Sequence, residues 1–304
     1  MNNILLVIVS LLIGIFLQRI PDFPANASKT LNAYLIYIVL PAIAILYIPD
    51  IQISTELILP VMVAYIGFFM SWAFFSWWGK IKNWDRSTIG CLIITAGLAN
   101  TSFIGIPIIE ALYGTEGLQI AILIDQPGSF ILVSSFAIIV ASLYGHHKKR
   151  KRDITKSIVI FPPFMFFVLA LLMNVFGLKM EGVLENILTS FTLTLTPIAL
   201  ISVGLQTKIK IQEIRLPPLW YGLGFKLIFA PLLIYLLYDM ILGNSPKDKL
   251  IYQVSVMESG MAPMISGSII ATSYGLNPKL ASLMVGIGIP LSFLTLAVWY
   301  FLLV

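Results

Sequence analysis

The 304-residue chain is 59% hydrophobic and only 11% charged, with 19 Lys and Arg against 14 Asp and Glu and a net charge of +5. A soluble domain carries about 25% charged residues to wet its surface, so this composition, with a mean hydropathy of +0.95, excludes a water-soluble globule. The single cysteine, Cys91, excludes an intramolecular disulfide and a cysteine-cluster metal site; in its apolar segment it reads as a small buried residue.

A helix that crosses a hydrocarbon core of about 30 Å needs about 20 mostly apolar residues. That ruler selects ten segments, near 3–18, 31–48, 57–79, 87–112, 117–144, 157–177, 184–205, 217–242, 250–274 and 280–303. The first lacks the basic start and the small-residue cleavage site of a signal peptide, so it is expected to be retained. Trp72, Trp77, Trp78 and Trp84 gather towards the end of the third span, as an interfacial belt does. The expected fold class is an all-α polytopic membrane protein of about ten helices.

The loops alternate in charge. Odd-numbered loops hold Arg19 and Lys29, then Lys80, Lys82 and Arg86, then Lys148–Arg152 and Lys156, then Lys208, Lys210 and Arg215, and finally Lys279; even-numbered loops hold only Lys179, Lys247 and Lys249. Short basic loops stay cytoplasmic, so the expectation is an inner-membrane protein with both termini outside. The run from His146 to Arg152 reads as the central cytoplasmic loop rather than as a nucleic-acid site. The adjacent His146 and His147, without a carboxylate or cysteine beside them, make a weak metal site.

The two sides of that loop echo each other. Pro41 in the second span matches Pro197 in the seventh, Tyr113-Gly114 matches Tyr274-Gly275, and Pro127 in the fifth span matches Pro290 in the tenth. Five helices per half force opposite orientations, so the expectation is a 5+5 inverted repeat. Its parts are residues 1–145, the basic loop 146–156, and residues 157–304.

Two spans are interrupted at corresponding places. The fourth contains Gly97, Asn100, Thr101, Ser102, Gly105 and Pro107; the ninth contains Glu258, Ser259, Gly260, Met261, Pro263 and Gly267. Proline removes an N–H and clashes with the preceding turn, and glycine permits non-helical dihedrals. Backbone groups freed in hydrocarbon cost several kcal/mol each unless protein or water satisfies them. Two breaks crossing at mid-membrane would aim positive half-helix N-termini at one site and favour an anion. The alternative is two kinked helices whose small residues serve close packing.

Residues Asn100 to Gly114, Asn-Thr-Ser-Phe-Ile-Gly-Ile-Pro-Ile-Ile-Glu-Ala-Leu-Tyr-Gly, resemble the fourth-helix signature of the auxin efflux carrier family, whose plant members include the PIN-type auxin exporters. Tyr274-Gly-Leu-Asn-Pro278, followed by a span with Pro290 and a Trp-Tyr-Phe-Leu-Leu finish, resembles the last two helices of the same family. Plant members carry a proline where this chain has Ala99, and many carry a long hydrophilic loop where it has the basic run. Both departures resemble the shorter prokaryotic permeases, so auxin itself is not implied as substrate. The resemblance implies a crossover fold with a scaffold of helices 1, 2, 6 and 7, a transport part of helices 3–5 and 8–10, and frequent homodimers through the scaffold.

An ionisable residue at bilayer depth costs at least about 2.5 kcal/mol and asks for a reason. Asp125 and Glu258 are candidates for carrying a coupling proton or sodium. Lys226, about 16 Å beyond Arg215 at 1.5 Å per residue, is a candidate for holding an anionic substrate. A structural lysine–carboxylate pair is the competing role for all three. Asn100, Thr101, Ser102, Ser259, Gly260 and Met261 are the other expected substrate contacts; Gly105, Pro107, Pro263, Pro41 and Pro197 are the expected hinges. No catalytic constellation, cofactor motif or metal-ligand pattern is evident. The expected function is secondary transport of a small organic anion such as a carboxylate, exporting and by alternating access. A sodium-coupled symporter of the bile-acid type and a non-transporting receptor are the alternatives.

Overall fold

The computed structural model describes residues 2–24, 26–51, 58–145, 162–206, 216–242 and 246–304. The basic run 146–156 and the residues Lys208, Lys210 and Arg215 lie outside the described residues. Among the described residues the chain is helical and no strand is present. Its helices are α1 (Asn2–Leu17), α2 (Ala27–Asp50), α3 (Ile58–Ile81), α4 (Arg86–Gly97), α5 (Thr101–Tyr144), α6 (Pro162–Val175), α7 (Val183–Gln206), α8 (Pro217–Tyr238), α9 (Pro246–Ser259), α10 (Ile265–Ser273) and α11 (Pro278–Leu303). Six of them, α2, α3, α5, α7, α8 and α11, are long and apolar enough to cross a membrane. Each of the ten segments selected by hydropathy falls on one or two of these helices.

The first interruption lies between the short helix α4 and the long α5, and the second between the short helices α9 and α10. The chain leaves helical geometry at Leu98 (φ −104°, ψ 127°) and resumes at Thr101; α9 ends at Ser259 and α10 starts at Ile265. The two non-helical stretches cross and pair. Asn100 N–H donates to the Ala262 carbonyl at 2.8 Å, and Met264 N–H donates to the Leu98 carbonyl at 3.0 Å. Ala99 and Pro263 face each other between these bonds as an antiparallel bridge. In that pattern the facing residues exchange no hydrogen bond, so the N–H that proline lacks is not needed there.

Proline leaves a second mark. One-turn π segments occupy Leu35–Val39, Thr101–Gly105 and Phe225–Phe229, and each ends two residues before a proline: Pro41, Pro107 and Pro231. A fourth, Asp125–Phe130, contains Pro127. Proline removes one rung of the hydrogen-bond ladder, and widening the preceding turn is one way to absorb the loss. Pro197 sits three residues past the irregular turn at 193–194 inside α7.

The expected connection at Tyr113-Gly114 is a bend rather than a loop: Gly114 has φ +67° inside α5. Its counterpart Gly275 has φ +74° between α10 and α11. Only glycine adopts this conformation without a Cβ penalty.

Around the crossing the helices pack closely at small residues. Gly14 of α1 and Gly204 of α7 touch: a Cβ on Gly14 would lie 2.2 Å from the Ile201 carbonyl oxygen, and one on Gly204 2.5 Å from that of Leu11. Such close backbone approach is how apolar helices associate where lipid is as apolar as the side chains. Helix α7 in turn packs on α2, where Ser202 Oγ donates to Asn32 Oδ1 at 2.5 Å and Tyr34 bonds Thr194 at 3.0 Å. Helix α6 packs on the second half of α2, whose end it caps: Asn174 Nδ2 lies 2.8–3.0 Å from the carbonyls of Ile48, Pro49 and Ile51. Leu5, Leu12 and Phe16 of α1, Leu172 and Val175 of α6, and Phe301 and Leu302 of α11 are exposed, an outer surface suited to lipid and not to water.

Several basic residues meet at one end. Arg86 donates to the Leu143 carbonyl at 2.8 Å, Lys82 lies 5.3 Å from the Trp78 ring centroid, and Asn277, two residues before Lys279, donates to Thr88 at 2.9 Å. At this end Asp85 caps α4, accepting from Thr88 N–H at 3.0 Å and from the Ser87 hydroxyl. Partial desolvation pushes the Asp85 carboxyl up, but these hydrogen bonds outweigh it and hold it below its ordinary value. Elsewhere Lys179 pairs with Asp50, whose hydrogen bond and charge hold the exposed ammonium above its ordinary value.

Gly204→Leu is expected to separate α1 from α7 and destabilise the protein by about 1–3 kcal/mol, the usual cost of overpacking. Gly224→Ala, with open space around the added methyl, is expected to unfold as the parent does in detergent. Proline at the crossing gives a sharper test. Ala99→Pro leaves both bridge bonds intact and should keep the unfolding midpoint. Asn100→Pro deletes the bond to Ala262 and should lower it.

Candidate functional site

The crossing organises two chambers with no lining residue in common. The larger is a cavity of about 360 Å³ bordered by Asn100, Ser102, Phe103, Asp125, Gln126, Met264, Ile265 and Ser266, and by Ile36 and Leu40 of α2. This is the lower end of the range for small-molecule sites, which are mostly apolar with a few placed polar groups. The smaller is a chamber of about 10 Å³ bordered by Leu98, Ala99, Thr101, Lys226, Glu258 and Ser259.

Helix polarity distinguishes the two. Ser102 and Phe103 in the first turn of α5, and Ile265 and Ser266 at the start of α10, border the cavity. The initial N–H groups of a helix have no intrahelical partner and carry about half a positive charge. The end of α9 borders the small chamber instead, and Lys226 Nζ donates to the terminal Ser259 carbonyl at 2.9 Å. An ammonium at a helix C-terminus matches the negative pole.

Asn100 is the N-cap of α5. Its Oδ1 accepts from Phe103 N–H at 3.2 Å, which is why an Asx residue suits this position. Its buried Nδ2 has no acceptor among the described residues, so a spare amide donor stands at the cavity wall. Asp125 lies in the π turn of α5 and is 1% exposed. Thr101 Oγ1 and Ser102 Oγ both donate to its Oδ1 at 2.5 Å, and Gln126 Nε2 donates to its Oδ2 at 2.7 Å. The π segments decide this meeting, because a widened turn changes which residues share a face.

The expected site residues therefore divide. Asn100, Ser102 and Asp125 border the cavity. Thr101 borders the small chamber while bonding Asp125, and Lys226, Glu258 and Ser259 border the small chamber alone. Gly260 lies against Pro231, and Met261 is fully buried in the apolar core. Among the hinge residues, Pro263 pairs with Ala99 and packs on Gly288, while Gly105 lies directly against the Glu258 carboxylate, which a Cβ would approach to 2.3 Å. No ion pair joins Lys226 to a carboxylate among the described residues. None of them forms a cluster of three metal-ligating side chains either.

Sequence reasoning passed over Gln126, Met264, Ile265 and Ser266. The last three had a usable signal, since a half-helix that begins after Pro263 turns its N-terminus towards residues 264–266. Gln126 had one too: it is the only polar neighbour of Asp125 in an otherwise apolar stretch. Glu110 is a further acid at depth, half-buried and receiving a bond from Thr196 of α7 at 3.3 Å.

Comparison with known proteins identifies relatives over nearly the whole chain. The family model described as membrane transport protein matches residues 1–300. An uncharacterised transporter of Methanocaldococcus jannaschii is 26% identical over 312 residues, covering 100% of this chain and 98% of that protein. One of Methanothermobacter thermautotrophicus is 24% identical over 300 residues, covering 98% and 96%. The uncharacterised transporter YfdV of Escherichia coli is 22% identical over 315 residues, covering 99% and 96%. With its apolar helices, its interrupted pair and a family match that runs nearly from end to end, the chain belongs to the membrane transport protein family, that of the auxin efflux carriers.

Proposed function

We propose that the protein is a secondary carrier of a small organic anion such as a carboxylate, exporting it by alternating access. The observation that carries this reading is the convergence of two half-helix N-termini, α5 and α10, on one cavity of about 360 Å³. Two positive poles and the spare Asn100 amide favour a negative ligand, and the apolar remainder of the wall suits a small carbon skeleton. Asp125 opposes an anion beside it while ionised, so the reading includes a proton or cation taken up with the substrate.

The proposed frame is ten transmembrane helices in two inverted halves, residues 1–145 and 157–304. Helix α4, of 12 residues, spans about 18 Å and falls short of the hydrocarbon thickness by itself. It completes a crossing only with the first part of α5, as α9 does with α10. These two broken spans, α1, α6, the second part of α5 and the five remaining long helices make ten. The paired left-handed glycines Gly114 and Gly275 and the paired breaks support the inversion. Helices α1, α2, α6 and α7 pack on one another and are proposed as the scaffold, carrying a homodimer contact. The end with Lys80, Lys82, Arg86 and Lys279 is proposed to face the cytoplasm of an inner-membrane protein, by the basic-loop rule.

Counterflow in proteoliposomes tests the function. Vesicles preloaded with a mono- or dicarboxylate should accumulate the same labelled anion, equally in sodium and in choline. Saturable binding without flux would make the protein a receptor, and flux that requires sodium would make it a sodium symporter. Asn100→Ala, which removes both the cap and the spare donor, should lower exchange by about tenfold or more, equivalent to about 1.4 kcal/mol. Asp125→Asn should change the pH dependence of exchange at normal expression; an unaltered pH profile would remove Asp125 from the coupling role.

A further inference from the structure

The small chamber holds two charged side chains that the anion cavity does not use. Glu258 is 0% exposed, and neither of its carboxylate oxygens receives a hydrogen bond from the described residues. Such a group is costly unless something compensates it. Lys226 is 3% exposed, and the hydrogen bond it makes is the one to the Ser259 carbonyl. Both face a chamber of about 10 Å³, at the threshold for holding a single water. The carboxylate lies directly against Gly105, where an added Cβ would stand 2.3 Å from Oε2 and oblige the carboxylate to move.

We propose that Glu258 and Lys226 form a buried proton-binding couple behind the helix crossing, separate from the anion cavity, and that the proton held on Glu258 is the coupling ion. The existence of the proton site is independent of the carrier reading, whereas its coupling role rests on it.

The surroundings favour a proton over a metal cation. The Ser259 carbonyl at the end of α9 is already taken by the Lys226 ammonium, and a second cation in the same small chamber would be repelled by it in a medium of low dielectric. A proton needs no coordination shell and neutralises the unpartnered carboxyl directly. The charges facing Glu258 are few. Helix α8 contributes Lys226 and α5 contributes Asp125, whose charges both act on Glu258; α3 presents Val63, Ala64 and Gly67, and α9 itself presents Ser259.

The charge balance shows how coupling follows. With Glu258 ionised, Lys226 offsets it and Asp125 leaves the crossing with one net negative charge. Protonation of Glu258 frees the Lys226 charge to offset Asp125, and an anion then enters the cavity against no net charge. The path between the chambers is short and physical: Thr101 borders the small chamber while its hydroxyl donates to Asp125 in the large one. By linkage, an anion in the cavity must strengthen proton binding at Glu258 to the same degree.

Infrared difference spectroscopy on the purified protein without substrate tests the site. As pH is raised, the carbonyl band of a protonated carboxylic acid should disappear, and labelling with ¹³C-glutamate should shift that band, identifying a glutamate. Glu258→Gln should lack it. Lys226→Met should keep it to more alkaline pH, since the opposing cation is gone. Asp125→Asn should retain it. A band that ignores the glutamate label, or that sodium abolishes at constant pH, overturns the proposal; the label keeps this test open even if Glu258→Gln fails to fold. Malonate counterflow on the same preparations separates the two readings. Exchange by Glu258→Gln with a flattened pH profile, or by Lys226→Met with a profile displaced to alkaline pH, supports coupling, and an unchanged profile in both refutes it. Absence of exchange for every mono- and dicarboxylate with the parent protein would refute the carrier while leaving the proton site standing.

Discussion

Hydrocarbon offers no partner to a free backbone N–H or carbonyl, and the centre of this protein is built around that fact. Two non-helical interruptions cross each other, and each supplies what the other lacks. Leu98 accepts from Met264, Asn100 donates to Ala262, and the proline sits at the one position of the pair that needs no donor. Breaking either helix alone would strand polar groups; breaking both at one level lets them satisfy each other. The crossing is therefore a single object to which both segments contribute.

Helix polarity then divides the space on either side. The N-termini of α5 and α10 border the cavity, and the C-terminus of α9 borders the chamber with Lys226. Opposite ends of aligned peptide dipoles attract opposite charges. One architecture thus sets helix N-termini beside the cavity and a helix C-terminus beside the small chamber, within a few residues of each other. Thr101 and Asp125 connect them through one hydrogen bond. In the proposed carrier, a rigid-body movement of the crossing against α1, α2, α6 and α7 would carry both chambers together.

Prolines act here less as helix breakers than as register shifters. Pro41, Pro107 and Pro231 each follow a one-turn π segment, and Pro127 lies within one. Each wide turn rotates the side chains beyond it relative to a uniform 3.6-residue helix. Thr101 and Ser102 meet on one carboxylate oxygen of Asp125 because two such segments face each other. The Gly14–Gly204 contact does the complementary work away from the site, drawing α1 and α7 together where no water drives association.

The apolar helices, the two interruptions, the paired Tyr-Gly turns and the burial of Asn100, Asp125, Glu258 and Lys226 were legible in the sequence. Each is a local property: an apolar run, a proline or glycine, or a charge where none is cheap. Which chamber each residue entered was not local. Ser259, Gly260 and Met261 precede the crossing point and Met264 to Ser266 follow it, so only the pairing of Ala99 with Pro263 decided that the latter border the cavity. The π turns withheld the rest, because a helical wheel drawn with one period misplaces every side chain past a widened turn. Sequence alone thus determined that the chain is a membrane protein with two broken helices and ionisable groups at depth. The tertiary structure decided that those groups occupy two separate chambers, since only the crossing of two distant segments sets which helix ends face which side.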